Sequence, residues 1–223
     1  KMIKNKNYNY KEIFSFKNKK IIILGGSGNL GKNFSKSLTS AGAKIILGDL
    51  KKTNLGNKIN YKYCDVSKKK SLESFFNTTV KKEKKINTLI YNVYSKPKNY
   101  YKKFENYDDT TWEDVLETNL TGAYRASKIM INHFKKNKIN GNIILILSTY
   151  GIVGPDLSIY KNLSNKKNIY GGGHPLTTPA SYTTSKSGLL GLMKYLATAF
   201  GKDNIRVNAL TPGGVFDGQE KKF

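Results

Sequence analysis

Tyr182 precedes Lys186 by four residues in the stretch ASYTTSKSG, residues 180–188. On a helix that spacing puts a phenol and an ammonium on one face. A free phenol titrates near pKa ~10, and a neighbouring cation favours its ionised form. Such a pair could exchange protons near neutral pH. The chain also holds 15 tyrosines and 39 lysines and arginines in 223 residues, so the spacing arises readily by chance. Its meaning depends on what stands elsewhere.

A second group of residues suits phosphate. The segment IIILGGSGNLGKN, residues 21–33, places Gly25, Gly28 and Gly31 directly after an apolar run and at the start of a helical pattern. Glycine lets the backbone approach a dinucleotide pyrophosphate, and the first turn of the helix offers unpaired N–H groups and positive potential. Ser27, Asn29 and Leu30 complete that turn as candidate cofactor contacts. Asp49 follows Gly31 by 18 residues, at the end of the next apolar run. There a carboxylate accepts hydrogen bonds from ribose hydroxyls and opposes a 2′-phosphate. Asp49 could also be a simple turn residue, and Lys51 and Lys52 beside it favour NADP; the position favours the ribose role and NAD as cofactor.

Several elements must position these residues. Short apolar runs at 20–24, 44–48, 59–64, 86–91, 142–147 and 205–210 read as strands. Helical patterns over about 30–41, 70–82, 109–135 and 181–200 alternate with them. Strands of nearly continuous β-branched residues, alternating with helices, predict a parallel α/β sheet covered on both faces. Residues 154–179 are polar and rich in Gly and Pro, and read as an inserted loop near the active site. The whole chain, 1–223, reads as a single domain.

Composition limits the remaining function classes. The formal net charge is +24, yet only Arg125 and Arg206 are arginines and the lysines are scattered. Base reading favours arginine's rigid fork, so the expectation is a solvated lysine surface and no nucleic-acid partner. One cysteine, Cys64, excludes an internal disulfide and fits a reducing compartment. No apolar run reaches the ~18 residues a membrane span needs, and the opening KMIKNKNYNYKEIF does not read as a secretory signal. No His/Cys/Asp cluster has metal-ligand spacing, so no metal is expected. His133 reads as a surface residue, His174 as an exposed loop residue that could also touch substrate, and Trp112 as a packing residue.

With the glycine turn, Asp49, Tyr182 and Lys186 in this order, the chain resembles the classical short-chain dehydrogenase/reductase family over about residues 19–217. CDVS (64–67) resembles the family's Asp-Val pair beside the adenine. IYNVYS (90–95) resembles its Asn-Asn-Ala-Gly element. TWEDVLETNLTG (111–122), LSTYG (147–151) and NIRVNALTPGG (204–214) resemble the segments carrying its asparagine, its serine and its Pro-Gly turn. The resemblance implies a Rossmann-like doubly wound sheet in three α/β/α layers. It implies an NAD(P)-dependent oxidoreductase that moves a hydride between nicotinamide and an alcohol or carbonyl substrate. Asn119, Ser148, Tyr182 and Lys186 would be the catalytic residues. Asp65, Val66, Asn92, Pro212 and Gly213 would join the glycine turn, Asp49, Tyr182 and Lys186 in holding the cofactor. Tyr182 would exchange the proton, Lys186 and the oxidised nicotinamide ring would lower its pKa, Lys186 would also bind ribose, Ser148 would hold the substrate oxygen, and Asn119 would hold a relay water. The family further implies a cytoplasmic homodimer or homotetramer, formed through the helices near 109–135 and 181–200, with a small-molecule substrate.

The chain departs from the family in several places. Asn29 stands where many classical members carry glycine, and the Gly25, Gly28, Gly31 spacing also suits the extended, sugar-nucleotide-modifying epimerases and dehydratases. Tyr94 replaces a glycine. Ser148 and Tyr182 lie 34 residues apart, wider than usual. Classical members continue past the Pro-Gly turn into a loop, a helix and a last strand, so that C-terminal strand is expected to be missing from a chain ending at Phe223. The Asn-Val-Tyr variation is similar to oxidoreductases of bacterial surface-sugar and flagellin modification, which suggests a sugar or sugar derivative. A non-catalytic NAD-binding regulator on the same fold is the alternative from another class.

Overall fold

The computed structural model describes residues 10–56, 59–161, 168, 171 and 173–218. After a single helical turn, α1 (Tyr10–Ile13), the first strand β1 (Lys20–Leu24) leads into α2 (Asn29–Ser40). Then follow β2 (Lys44–Asp49), β3 (Ile59–Tyr63), α3 (Lys69–Glu83) and β4 (Thr88–Tyr91). The second half contains α4 (Asp109–Leu116), α5 (Gly122–Lys136), β5 (Asn142–Ile146), α6 (Ala180–Phe200) and β6 (Arg206–Leu210). Among the described residues the six strands form one sheet in the order β3-β2-β1-β4-β5-β6. Every pairing is parallel. The strands and helices expected from the sequence are therefore present, in the doubly wound order.

The strands are almost wholly apolar because the sheet is covered twice. Along β1 alternate side chains point to opposite faces. Ile22 and Leu24 join Phe76 of α3, Phe134 of α5 and Leu189 of α6 in the larger core. Ile21 and Ile23 join Ile45 and, from α2, Phe34 and Leu38 in the smaller one. Ile21, Ile22, Ile23 and Leu24 are at most 1% exposed, and burying each such side chain contributes about 1.5–3 kcal/mol. β6 forms one edge of the sheet, where Arg206, Asn208 and Leu210 are exposed.

The strand order switches between β1 and β4, as the chain adds strands on one side of β1 and then on the other, which is where an open α/β sheet opens a crevice beyond its strand ends. The site therefore lies at the C-terminal ends of β1, β2, β4 and β5.

The expected helix over 109–135 is two helices joined by a π turn, Glu117–Thr121. One extra residue per turn widens the helix there, and such turns recur at functional sites. The buried Tyr91 hydroxyl donates to Thr118 O inside this turn, which helps to hold it. The 154–179 stretch contains a short 3-10 turn, Leu157–Tyr160. Its residues 162–167, 169, 170 and 172 lie outside the described residues.

Two sequence expectations are corrected. His133 is not on the surface: it is 6% exposed, and its Nε2 accepts the Ile86 N–H at 3.3 Å. Burial lowers its pKa. The residue faces the core because α5 packs against the chain entering β4. His174 is only half-buried rather than exposed, and its carbonyl accepts from Asn168 Nδ2 at 3.2 Å.

Candidate active site

The turn after β1 is shaped by backbone contacts. Gly25 has φ +78, and a Cβ there would lie 2.5 Å from Asn92 O. That combination of positive φ and close approach admits only glycine. The turn is clamped from β4: Asn92 Nδ2 donates to Gly25 O at 2.8 Å, and Asn92 N–H donates to Leu24 O at 2.9 Å. Gly31 lets α2 sit against this turn, since a Cβ there would lie 2.3 Å from Gly25 O. Gly28 starts α2 with no side-chain cap, so the first-turn N–H groups face outward for an anion. Asn29 is exposed and reaches Phe216 O at 3.4 Å. Leu30 packs into the smaller core instead of facing a ligand.

Asp49 ends β2 beside this turn. Its Oδ2 accepts the Ser27 N–H at 2.9 Å and its Oδ1 accepts the Lys51 N–H at 3.2 Å. The carboxylate is thus fixed by backbone donors and keeps lone pairs for further hydroxyls. Ser27 Oγ is already engaged, donating to Lys51 O at 2.6 Å. Asp65 closes its own turn: Oδ1 accepts from Ser67 N–H at 3.0 Å and Ser67 Oγ at 2.7 Å. The Val66 side chain belongs to the core, and the residue is 5% exposed.

At the end of β5 the catalytic candidates converge. Ser148 is 8% exposed, and its Oγ accepts the Tyr150 N–H at 3.2 Å. Its neighbour Thr149 donates its N–H to Pro212 O at 3.2 Å, so the Pro212–Gly213 turn lies against this segment. Tyr182 and Lys186 share a face of α6, with Nζ 5.8 Å from the centre of the phenol ring. Lys186 is 4% exposed and donates to Ile146 O at 2.7 Å.

The electrostatics differ from the sequence expectation. Burial raises the Tyr182 pKa above that of a free phenol, a hydrogen bond from Ser148 works against the rise, and Tyr94 and Tyr150 add to it. The Lys186 ammonium stands 5.8 Å from the centre of the phenol ring and is aimed at the Ile146 carbonyl. Burial also lowers the Lys186 pKa to about 8.

Asn119 stands in the π turn, fully buried. Its Oδ1 accepts the Ser95 N–H at 2.8 Å and its Nδ2 donates to Ser185 Oγ at 3.0 Å. Ser185 Oγ in turn donates to Tyr182 O at 2.9 Å. The amide thus ties the loop after β4 to the helix that carries Tyr182, and both its ends are engaged. This positioning role, with Ser95 and Ser185, escaped the sequence reading. Ser185 does follow Tyr182 by three, a helical neighbour spacing that could have flagged it. Tyr107 also escaped it, as did the placement of Tyr94, noted there as replacing a glycine, against Tyr182. Tyr94 meets the Tyr182 ring edge-on at 6.4 Å, and the Tyr107 hydroxyl lies 2.7 Å from Ser181 Oγ.

The residues fit a nicotinamide dinucleotide: a glycine turn whose Cβ positions at Gly25 and Gly31 are filled by backbone, an uncapped helix start and an oriented carboxylate at the next strand end. Among the described residues no group of three His, Cys, Asp or Glu side chains could hold a metal, and no helix is long and apolar enough to cross a membrane.

Comparison with known proteins agrees. Residues 19–161 match the family described as short chain dehydrogenase, and residues 168–221 match one described as enoyl-(acyl carrier protein) reductase. The chain is 26% identical over 208 residues to 7alpha-hydroxysteroid dehydrogenase of Bacteroides fragilis, covering 89% of this chain and 72% of that protein. It is 28% identical over 220 residues to post-translational flagellin modification protein A of Campylobacter coli, covering 92% and 80%. Among solved structures, a short chain dehydrogenase from Leptospira borgpetersenii with bound NAD+ superposes with a TM-score of 0.81 at 25% identity, covering 100% of this chain and 80% of that one. With the glycine turn, the doubly wound sheet and the Ser148, Tyr182, Lys186 grouping already in hand, these matches make the chain a member of the short-chain dehydrogenase family and an NAD(P)-dependent oxidoreductase.

Proposed function

We propose that this protein interconverts an alcohol and a carbonyl on a small sugar-like substrate, with NAD rather than NADP as its cofactor. The observation that carries the reading is the convergence of Ser148, Tyr182 and Lys186 at the end of β5, beside the crevice between β1 and β4. When bound, the nicotinamide supplies the hydride acceptor or donor. In the oxidation direction Tyr182 takes the hydroxyl proton of the substrate as a phenolate, and in reduction it returns it. Ser148 Oγ donates to the substrate oxygen as negative charge develops there. Lys186 keeps positive charge next to the phenol and binds ribose hydroxyls. Asn119 fixes α6, and so Tyr182, relative to the loop after β4.

Gly25, Gly28, Asn29 and Gly31 would hold the pyrophosphate, Asp49 the adenosine ribose, Asp65 and Val66 the adenine, and Asn92, Pro212 and Gly213 the nicotinamide end. The preference for NAD is supported by the Asp49 carboxylate, held in place by two backbone N–H groups. The sugar assignment rests on the Asn-Val-Tyr variation at 92–94, which resembles oxidoreductases of surface-sugar and flagellin modification, and the 28% identity to flagellin modification protein A accords with that resemblance. A homodimer or homotetramer through α4, α5 and α6 is part of the proposal, supported by Tyr124 and Tyr195, which stand 48% and 68% exposed on two of those helices. So is the cytoplasm, supported by the buried free thiol of Cys64.

Tyr182→Phe tests the reading. Removing a positioned proton-transfer group lowers turnover by about 10²–10⁴-fold, while NAD+ affinity should stay within about threefold because the lost hydroxyl handles a proton. Near-wild-type NADH production by this variant, in a dye-coupled screen over sugars and polyols, would refute the assignment.

A further inference from the structure

The surroundings of the Tyr182 hydroxyl are unusually aromatic. Tyr94 lies three residues beyond the end of β4, where the family resemblance leads one to expect glycine. Its ring meets that of Tyr182 with centroids 6.4 Å apart and planes inclined at 74°, and it remains 47% exposed. The Lys96 ammonium stands 5.0 Å from the centre of the Tyr94 ring. On the protein side Tyr182 packs with Leu176 against a buried cluster of Tyr100, Tyr101 and Val115. Tyr150 and Tyr160 are near enough to act electrostatically on or through the Tyr182 phenol. The Tyr160 hydroxyl is fixed 2.6 Å from Thr178 Oγ1. The reacting hydroxyl therefore sits at a corner. One wall is a half-exposed aromatic ring, and phenol hydroxyls stand nearby.

We propose that Tyr94 is a specificity-determining residue that favours a secondary alcohol borne on a ring over one borne on an open chain. A ring can lie flat against Tyr94 while its hydroxyl is directed at Tyr182 and Ser148. An open chain offers no such face and gives up more conformational freedom on binding. Burying about 20–60 Å² of ring face against the Tyr94 ring is worth a factor of about 2–12 in binding. The inference rests on the oxidoreductase reading of Tyr182.

The test compares four probes, a methyl pyranoside, a hydroxysteroid, an open-chain pentitol and 2-octanol, on wild type, Tyr94→Gly and Tyr94→Phe. In Tyr94→Gly the ratio of kcat/KM for ring over chain substrates should fall by about 2–12-fold. In Tyr94→Phe the ratio should be kept within about twofold, since the aromatic face remains. The pyranoside and hydroxysteroid arms tell a sugar ring from a steroid ring. A merely structural loss in Tyr94→Gly lowers both classes alike, and an unchanged ratio overturns the proposal. If wild type oxidised none of the four, the oxidoreductase reading would fail for these alcohols. Binding of the same probes, followed by saturation-transfer NMR, would then decide separately: a ring probe that binds wild type and Tyr94→Gly equally overturns the role of Tyr94, and one that needs the aromatic side chain upholds it.

Discussion

Gly31→Ala isolates the packing of α2 against the glycine turn. The added Cβ would lie 2.3 Å from Gly25 O, 2.6 Å from Gly26 Cα and 2.8 Å from Gly26 C. All three are backbone atoms, so no side chain can swing away. Restoring an ordinary contact of 3.4 Å from 2.3 Å requires the helix to retreat by about 1 Å. Overpacking of this kind costs about 1–3 kcal/mol, which in a chain of this length lowers Tm by about 2–12 °C. The same retreat moves the first-turn N–H groups off the phosphates. Losing one charge-assisted hydrogen bond, worth about 1.5–3 kcal/mol, weakens NAD+ binding by tenfold or more. Gly28→Ala is the control. Its Cβ would meet only Gly25 O, at 4.0 Å, and the backbone there (φ -75, ψ 175) suits alanine. Its Tm should stay within about 3 °C, as its cap and entropy effects are each near 1 kcal/mol and opposed. Thermal melts by circular dichroism and NAD+ titration by calorimetry read both quantities. A Gly31→Ala protein with wild-type Tm and wild-type affinity would refute the claim that this turn supports the cofactor.

Four further outcomes are expected. Asp49→Ala should shrink the preference for NAD+ over NADP+ by about tenfold, as loss of one opposed charge is worth about 1.4 kcal/mol; a wild type that prefers NADP+ on titration would show that Lys51 and Lys52 dominate instead. Lys186 should lose its proton at about pH 8 in the cofactor-free protein. The matching inflection in kcat/KM should vanish in Lys186→Arg, since a guanidinium stays charged throughout; a 13C-lysine titration with every midpoint above 10 would contradict this. Glu83→Gln should lower Tm by about 2–12 °C, because the buried carboxylate bridges Lys20 at 3.0 Å and Lys44 at 2.8 Å and weakening such a pair costs about 1–3 kcal/mol. Burial raises the Glu83 pKa, but its bonds to Lys44 and Lys20 outweigh that and lower it overall. Its contribution to stability is therefore present above the unfolded carboxylate value and is lost as pH falls through the lower folded value, which acid titration of wild type against the variant would read. Finally, labelled DNA and RNA should dissociate near 0.15 M salt, where screening acts over about 8 Å; anisotropy showing sub-micromolar, sequence-selective binding at that salt would overturn the diffuse-charge reading.

The sheet was legible because its strands are buried on both faces. Runs such as Ile21–Leu24 then carry a continuous apolar signal that no surface element imitates. The glycine turn was legible for a related reason: Gly25 and Gly31 answer to backbone contacts within the turn itself and to a neighbouring strand. Tyr182 and Lys186 were visible as a helical pair, but their electrostatics were not. The direction of the Lys186 ammonium is set by the Ile146 carbonyl, 40 residues away, and the Tyr182 pKa by burial under distant tyrosines. Asn119 could be picked out by position only. That its amide joins Ser95 to Ser185, and that a π turn carries it, depends on how the helix packs. His133 illustrates the limit most simply, since a histidine three residues from a helix end looks solvent-facing until α5 is laid against the sheet.

The clamp between Asn92 and Gly25 joins residues 67 apart in the chain. Ribosomes add about 5–20 residues per second, so about 3–13 s separate the emergence of the glycine turn from that of its partner. During that interval β1 and β2 can pair, but Gly25 lacks the amide that holds its carbonyl and β1 lacks its other neighbour. A cofactor in the cell therefore cannot assist the earliest folding of this chain. Its stabilising effect begins only once β4 has been made and docked, and the half-made sheet must survive until then with one side of its central strand unpaired.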